Sequence, residues 1–349
     1  MFIASAASAL PPYEYDQSVL LAALCKYWGA RLDNPWFLER LHSRVGVEKR
    51  HLALPLEDYY KLSTWGEANN HWIAASVDLA ERALTTALDR AGLTRDQLGA
   101  IYFVSVTGIA SPSIDARLMN RMQLPVHIKR VPIFGLGCVA GAAGVARAAD
   151  YVKAYPDQVA AVISVELCSL TLQKEDLSVA NLISSGLFGD GCGVALVAGA
   201  ELPCTGPHIV ATQSVFYPGT EHVMGWDISE RGFRIVLSRE VPEVVEKYLA
   251  RDVDAFLASN GLARADISNY VIHTGGPRVL EATQAALRLP DGALDVSWEC
   301  LKRTGNLSSA SVLLVLEETL LHRRPAPGSY GLMAAMGPAF CSELLLLRW

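Results

Sequence analysis

Cys138 lies in a glycine-rich segment, Gly135–Gly144, whose pattern predicts the start of a helix after a buried strand. A cysteine at a helix N-terminus lies at the positive end of the helix dipole, and the free N–H groups there stabilise a thiolate. The segment is therefore compatible with a nucleophile, although residue type alone favours a structural cysteine. Two other interpretations are open at this point. One is a dinucleotide-binding loop, although GxGxxxG departs from the usual GxGxxG; the other is a buried structural cysteine.

Two residues in the second part of the chain carry complementary chemistry. His273 ends a predicted strand and is followed by Thr274–Pro277, a glycine-containing turn, so its ring can project into a cleft. Asn306 precedes a predicted helix. Taken singly, such a histidine is more often structural and such an asparagine is an ordinary helix cap. Together with Cys138 they supply a nucleophile, a base or hydrogen-bond donor, and an amide donor to an oxyanion, which are the groups needed for acyl transfer through a thioester.

Predicted strands alternate with predicted helices, and this alternation indicates an α/β fold with mostly parallel sheets. Apolar runs predict the strands, and helical periodicity predicts the helices, with glycine or proline at several helix ends. The predicted strands are residues 100–107, 159–165, 193–199, 270–274, 330–336 and 343–347. The predicted helices are residues 77–91, 139–154, 243–259, 279–288 and 308–322.

One stretch of sequence is echoed later in the chain. Gly92–Phe103 resembles Gly261–Ile272, since each contains a helix-ending glycine, a short loop and a strand. At the same separation along the sequence, the position that corresponds to Cys138 lies beside Asn306, at a predicted helix start. The chain is therefore expected to consist of two similar halves, the first with the cysteine and the second with the histidine and the asparagine. The predicted halves are residues 1–205 and 206–349.

Composition narrows the classes of function. Of the 349 residues, 51% are hydrophobic, and the net charge is −6 without a long run of Lys or Arg, which argues against a nucleic-acid partner. Seven cysteines at irregular spacing, with no CxxC pair, argue against a disulfide framework or a zinc site and favour the cytoplasm. The N-terminus is a poor signal peptide, and no apolar run reaches the ~18 residues of a membrane helix.

Five motifs, in order, resemble the type III polyketide synthases, which are the chalcone-synthase-like family. They are Gly137-Cys138 with its Ala/Gly-rich helix, Val165–Thr171, Gly186–Gly191, His273–Pro277 and Gly305–Ala310. The resemblance covers roughly residues 40–349. It implies the thiolase fold, a five-layered αβαβα arrangement of two duplicated halves, and a homodimer. It also implies acyl-CoA and malonyl-CoA as substrates and no metal or redox cofactor.

The resemblance implies a role for each site residue. Cys138 matches the acyl-accepting nucleophile, and His273 and Asn306 match the pair that holds the thioester carbonyl while malonyl-CoA is decarboxylated. Phe188 matches the gatekeeper between the CoA tunnel and the cavity. The remaining matches are positions that shape the cavity, Thr171, Trp226, Ile235 and Ser308, and positions near CoA, Arg44 and Arg278.

Three departures from the plant enzymes bear on the substrate. Ala335–Ala339 replaces Gly-Phe-Gly-Pro-Gly, Ile235 replaces a second gatekeeper phenylalanine, and Trp226 stands where plant enzymes carry glycine. Met224–Ile228 resembles bacterial members that make alkylpyrones and alkylresorcinols. A medium or long fatty acyl-CoA starter and a product of that kind are therefore expected. Small side chains expected along the cavity wall are Ser111 and Cys168.

Other functions share these residue types. An initiating 3-ketoacyl-(acyl-carrier-protein) synthase has the same fold and a Cys, His, Asn set, but it normally carries His-Gln-Ala-Asn at residues 273–276. A catalytically silent acyl-binding protein is the alternative from a different class. A papain-type hydrolase uses the same kinds of residue, but it gives no reason for two duplicated halves.

Overall fold

The computed structural model describes residues 1–32, 34 and 36–349. Its strands are β1 (Phe2–Ala9), β2 (Tyr13–Asp16), β3 (Lys49–Leu52), β4 (Leu98–Val104), β5 (Lys129–Ile133), β6 (Val159–Leu167), β7 (Asp190–Ala198), β8 (His208–Phe216), β9 (Met224–Ser229), β10 (Gly232–Leu237), β11 (Ile267–Ile272), β12 (Tyr330–Gly337) and β13 (Cys341–Arg348). Its α-helices are α1 (Gln17–Trp28), α2 (Trp36–His42), α3 (Trp65–Ala91), α4 (Ile114–Met122), α5 (Ala140–Ala154), α6 (Val179–Leu187), α7 (Val241–Ser259), α8 (Pro277–Leu287), α9 (Asp295–Thr304) and α10 (Ser311–His322).

The same strand order occurs in both halves of the large sheet. Within the described ranges its order is β11-β12-β13-β8-β1-β7-β6-β4-β5. β1 and β8 meet at a single residue pair, Phe2 opposite His208, so the sheet divides there into two halves. The order β4-β6-β7-β1 of the first half recurs as β11-β12-β13-β8 in the second, with the same parallel and antiparallel pairings. The expected duplication is confirmed.

Helices cover both faces of each half, and this arrangement produces five layers. α3 and α4 pack on the outer face of the first half, and α7 and α8 pack on the outer face of the second. α5 and α10 lie between the two halves. Along β4, Ile101 and Phe103 pack in the core with α3, whereas Tyr102 and Val104 pack in the central core with α5. The thiolase-like αβαβα fold is thus confirmed.

The prediction of mostly parallel sheets is wrong. In the large sheet β4 is parallel to β5 and β6, and β11 is parallel to β12, whereas the other pairings are antiparallel. Strands that are covered on both faces read as continuous apolar runs whatever their direction. β6 and β7 illustrate this, because every residue of both is buried although they run antiparallel.

Two features outside the large sheet matter for the site. β9 and β10 form a two-stranded sheet of their own, in which Trp226 is opposite Ile235. The predicted boundary between residues 205 and 206 falls in the segment between β7 and β8, and it stays a prediction. Over the described ranges, no helix is both long enough and apolar enough to cross a membrane.

Candidate active site

Cys138 lies in a short 3-10 turn, Gly137–Val139, that follows β5 and runs directly into α5. Gly137 has φ +56°, and a Cβ atom there would lie 2.5 Å from Pro338 Cδ, so the turn requires glycine. The cysteine is 7% exposed. Burial raises the pKa of its thiol to about 12, although the Ser308 hydroxyl acts in the opposite direction. The free site therefore holds a neutral thiol.

The second half contains an equivalent turn, Ser308–Ala310, which runs into α10. Cys138 is the second residue of the first turn, and Ser309 is the second residue of the other. Ser308 Oγ lies 3.6 Å from Cys138 Sγ. The starts of the two central helices therefore meet at the nucleophile, as the internal echo in the sequence suggested.

Asn306 lies in the bend between α9 and the second turn. Its Oδ1 accepts hydrogen bonds from Ser308 N at 2.8 Å and from Ser311 Oγ at 3.4 Å. The first bond supports Ser308 in the left-handed region, with φ 48°, a conformation that costs a residue other than glycine about 1–3 kcal/mol. Because Oδ1 is engaged in this way, the N–H groups of the Asn306 amide are the part that can serve a substrate.

His273 directly follows β11 and is tied to β12. Its backbone N donates to Ala334 O at 3.1 Å. Further along β12, Gly337 packs so tightly on the Cys138 turn that a Cβ atom would lie 2.7 Å from Val139 N. Burial lowers the pKa of the His273 imidazole to about 4, so the ring is neutral at pH 7. Its Nδ1 has no hydrogen-bond partner in the part of the chain that the structure describes.

A largely apolar cavity with a volume of about 140 Å³ extends from Cys138. Most of the predicted site residues line it. They are Cys138, Thr171, Phe188, Trp226, Ile235 and Ser308, together with the expected wall residue Cys168. His273 and Asn306 are buried and stand outside this lining.

Helix α1, which was not predicted, supplies one wall of the cavity. Leu20, Leu24 and Tyr27 line the cavity from this helix. α1 is fastened at its C-terminal end, where the Trp28 indole N–H donates to Lys174 O at 2.8 Å. Its apolar residues therefore stay on the cavity even though few sequence signals mark the helix.

The hairpin β9–β10 supplies another wall. Met224, Trp226, Ile235 and Leu237 line the cavity from this hairpin. The Trp226 ring packs against the Phe233 ring, with centroids 5.8 Å apart. The Phe233 ring therefore holds the Trp226 indole in place, and the indole limits the space in the cavity next to the hairpin.

Arg44 and Arg278 are exposed and do not line the cavity. They nevertheless belong to segments in contact, because a Cβ atom on Gly46 would lie 3.0 Å from Pro277 Cγ. Their contact with CoA stays a prediction. Ser111 is exposed and outside the lining, so the expectation that it lines the cavity is wrong.

Sequence reasoning missed two buried charged residues. Glu166 accepts hydrogen bonds from Val106 N at 3.1 Å, from Thr107 Oγ1 at 2.9 Å and from Ser309 Oγ, and burial raises the pKa of its carboxyl. Arg50 is 4% exposed and lines the cavity. A charge inside an otherwise apolar strand is the signal that would have identified Glu166.

Family profiles match nearly the whole chain. The profile described as "Chalcone and stilbene synthases, N-terminal domain" matches residues 37–201, and "Chalcone and stilbene synthases, C-terminal domain" matches residues 208–349. The chain belongs to the chalcone and stilbene synthase family. It is therefore a type III polyketide synthase, a condensing acyltransferase that acts on acyl-CoA and malonyl-CoA.

Relatives of this synthase include bacterial enzymes of similar length. A 1,3,6,8-tetrahydroxynaphthalene synthase of Streptomyces peucetius subsp. caesius is 49% identical over an alignment of 353 residues, which covers 99% of this chain and 93% of that protein. A putative chalcone synthase of Bacillus subtilis (strain 168) is 37% identical and covers 100% of this chain and 98% of that protein. The solved 1,3,6,8-tetrahydroxynaphthalene synthase of Streptomyces coelicolor A3(2) has a TM-score of 0.95 at 30% identity and covers 100% of this chain and 99% of that one. The matches favour this family over the 3-ketoacyl synthase and hydrolase alternatives.

Proposed function

We propose that this synthase carries the growing acyl chain on Cys138 and stabilises the malonyl-derived enolate with His273 and Asn306. The observation that carries the proposal is the 3.6 Å approach of Cys138 Sγ to Ser308 Oγ, across the junction of the two halves. Ser308 is bound through its backbone N–H by Asn306. Cys138 and Ser308 thus line a single apolar cavity, and the amide donor Asn306 is hydrogen-bonded to Ser308 without lining that cavity itself.

The first step loads the starter. The Cys138 sulfur attacks the thioester carbonyl of the starter acyl-CoA, the new thioester forms, and CoA leaves with the proton that the thiol gives up. Burial disfavours the free thiolate. Neutral His273 is able to take the proton as the attack proceeds, and buried amide donors offset the charge on the thioester oxygen.

The second step extends the chain. Malonyl-CoA loses carbon dioxide, and the resulting enolate oxygen accepts hydrogen bonds from the His273 imidazole and the Asn306 amide. The enolate carbon attacks the Cys138 thioester, and the cysteine leaves as a thiolate. Because the thiolate is regenerated in this way, reloading of the longer chain needs no further base. Acyl transfer and decarboxylation proceed here with a thiol, an imidazole and an amide, so the mechanism uses no metal or redox cofactor.

The starter is proposed to be a two-carbon unit from malonyl-CoA, leading to a hydroxylated aromatic product of the tetrahydroxynaphthalene class. Support comes from the relative that is 49% identical over 99% of this chain and carries that name. A naphthalene skeleton has ten carbons, so it corresponds to five two-carbon units. The supported indole of Trp226 is consistent with a chain that folds inside the cavity and then cyclises there.

A fatty acyl starter, with an alkylpyrone or alkylresorcinol product, is the second candidate. The apolar lining favours it, since Leu20, Leu24, Leu52, Leu56 and Leu172 all face the cavity. Each methylene that a starter buries against such a wall contributes about 0.8 kcal/mol. Long starters would then be strongly preferred over short ones.

Product analysis by mass spectrometry distinguishes the two starters. The enzyme is supplied with malonyl-CoA alone, and then with malonyl-CoA plus acyl-CoA starters of increasing length or coumaroyl-CoA. Efficient product formation from malonyl-CoA alone supports the aromatic product. A kcat/KM that rises steeply with acyl length, together with little product from malonyl-CoA alone, refutes it in favour of the fatty starter.

The roles of His273 and Asn306 are tested on malonyl-CoA without a starter. His273→Ala or Asn306→Ala is expected to block the release of carbon dioxide while some acylation of Cys138 continues. A partial loss of acylation in His273→Ala agrees with its second role as proton acceptor. Decarboxylation at the wild-type rate in both variants would remove these residues from the mechanism.

We also propose that the synthase is a homodimer. β5 is an edge strand of the large sheet, and Val131, Phe134 and Leu136 in and after it are exposed. An apolar edge beside the Cys138 turn would be covered by a second subunit, since exposed edges otherwise invite aggregation.

A further inference from the structure

The C-terminal end of α6 presents three consecutive carbonyls, and each is bound by a different part of the chain. Gly186 O accepts from Gln17 Nε2 at 2.8 Å. Leu187 O accepts from the backbone N of Asn306 at 2.9 Å. Phe188 O accepts from Arg50 Nη1 at 2.7 Å. The last turn of α6 is thus held by a side chain from α1, by the Asn306 backbone and by a cation from β3.

Arg50 is a buried cation at this helix end. Its Nε donates to Gln17 Oε1 at 3.1 Å, so it fixes the amide that binds Gly186. Burial lowers the pKa of its guanidinium to about 10, and nearby Asp190 acts in the opposite direction, so the group is charged at neutral pH. The negative end of the α6 dipole favours a cation at this place. Such a residue carries a desolvation cost that a simple packing role would not require.

The stem of Arg50 also determines where the Asn306 backbone lies. Gly305 has φ 71°, and a Cβ atom on it would lie 3.1 Å from Arg50 Cδ and 2.7 Å from Leu187 O. Gly189 N donates to Asn306 O at 3.0 Å, so Asn306 pairs with the 187–189 segment like a neighbouring strand. The Gly305–Asn306 bend is therefore enclosed between Arg50 and the end of α6.

We infer that Arg50 is a positioning residue for the extension step. Arg50 holds Phe188 at the cavity, and it holds the Asn306 amide at the place where the enolate oxygen forms. It acts through these two residues and does not itself react. The inference rests on the proposed function of Asn306. Among the described residues, Arg50 makes no hydrogen bond to the Cys138 turn, so loading of Cys138 is expected to depend on Arg50 much less than extension does.

The experiment compares Arg50→Met, Arg50→Lys and wild-type enzyme, with Asn306→Ala as the reference for lost enolate stabilisation. Arg90→Met is the matched control, because Arg90 also donates to a backbone carbonyl, Ala6 O at 2.8 Å, but lies outside the cavity lining. Each variant is assayed for decarboxylation of malonyl-CoA (kcat and KM separately), for acylation of Cys138, and for its thermal unfolding midpoint.

Arg50→Met is expected to lower kcat for decarboxylation at least tenfold, with acylation of Cys138 close to wild type. Arg50→Lys is expected to recover part of the loss, because an ammonium group keeps the charge at Phe188 O but cannot also bind Gln17. Arg90→Met is expected to decarboxylate at the wild-type rate. If Arg50→Met does not fold, Gln17→Leu, which removes the acceptor of Arg50 Nε, is expected to show the same selective loss.

Two results would overturn the inference. One is decarboxylation at the wild-type rate in both Arg50 variants while Asn306→Ala is inactive. The other is a parallel loss of decarboxylation and acylation, in proportion to a lower unfolding midpoint, which would make Arg50 a residue of general stability. Wild-type decarboxylation by Asn306→Ala would instead refute the proposed function on which the inference rests.

Discussion

Gly141 of α5 packs tightly against the start of α10, and Gly141→Ala is expected to disable the enzyme by separating the two central helices. A Cβ atom on Gly141 would lie 2.1 Å from Ser309 O and 2.8 Å from Val312 Cγ1. Ordinary van der Waals contact begins near 3.4 Å. The α5 and α10 starts would therefore have to part by about 1 Å. Cys138 is on one of these starts and Ser308 is on the other.

The size of the effect follows from this displacement. Overpacking of this kind costs about 1–3 kcal/mol of stability. At an unfolding entropy of about 2.1 cal/mol/K per residue, each kcal/mol lowers the unfolding midpoint of this 349-residue chain by about 1–2 °C. Activity should fall much further than stability, because a 1 Å misplacement of reacting groups costs roughly 100-fold in rate. We therefore expect a stable, folded variant whose kcat is about two orders of magnitude lower.

The measurement pairs thermal unfolding with condensation rates under saturating malonyl-CoA. Gly66→Ala is the matched control, since Gly66 is in the first turn of α3 and its Cβ would come no closer than 3.9 Å to Thr64 Oγ1. That variant should keep its activity and gain up to about 1 kcal/mol in stability, because alanine is the better helix former. Wild-type activity and an unchanged midpoint in Gly141→Ala would refute the reasoning.

Cys138→Ala should abolish condensation and remove acyl label from the protein; full product formation by this variant would contradict the covalent mechanism. Burial raises the pKa of Asp190 from 3.8 to about 6. The folded state therefore binds the Asp190 proton more tightly than the unfolded state does. The resulting contribution to the free energy of unfolding, up to ~3 kcal/mol, is fully present below about pH 4 and is lost as the pH rises through 6. Urea unfolding between pH 4 and 7 should show a flatter profile for Asp190→Asn, and an identical profile would disprove the assignment. Sedimentation should show a dimer at micromolar concentration, and a monomer there would count against the proposed interface.

The elements that were predicted correctly have strong local patterns. The helix predicted over residues 139–154 is α5, Ala140–Ala154, and the strand predicted over residues 330–336 is β12, Tyr330–Gly337. β1 and β8 were missed, although they join the two halves. β1 reads Phe-Ile-Ala-Ser-Ala-Ala-Ser-Ala, and β8 contains His208, Thr212 and Gln213. Small or polar side chains give no apolar run, so tertiary packing alone makes these strands.

The candidate site was predictable where it depends on motifs and not where it depends on distant contacts. Cys138, His273 and Asn306 stand in recognisable motifs that contain glycine. Arg50 stands in a short polar strand, and its partner Phe188 is 138 residues away in the sequence. The hydrogen bond from Ser308 N to Asn306 Oδ1 could not be predicted from the sequence either, since it depends on a local conformation that serine rarely adopts.

The separation of the β9–β10 hairpin from the large sheet has a consequence for how such enzymes diversify. Within the part of the chain that the structure describes, the hairpin pairs only between its own two strands, yet it contributes Met224, Trp226, Ile235 and Leu237 to the cavity. Substitutions at the hairpin residues that line the cavity are therefore expected to change which molecules fit while the strand pairing of the large sheet stays intact. Evolution can therefore alter the starter and the ring closure through substitutions in one peripheral segment. The residues that carry out condensation need not change at the same time.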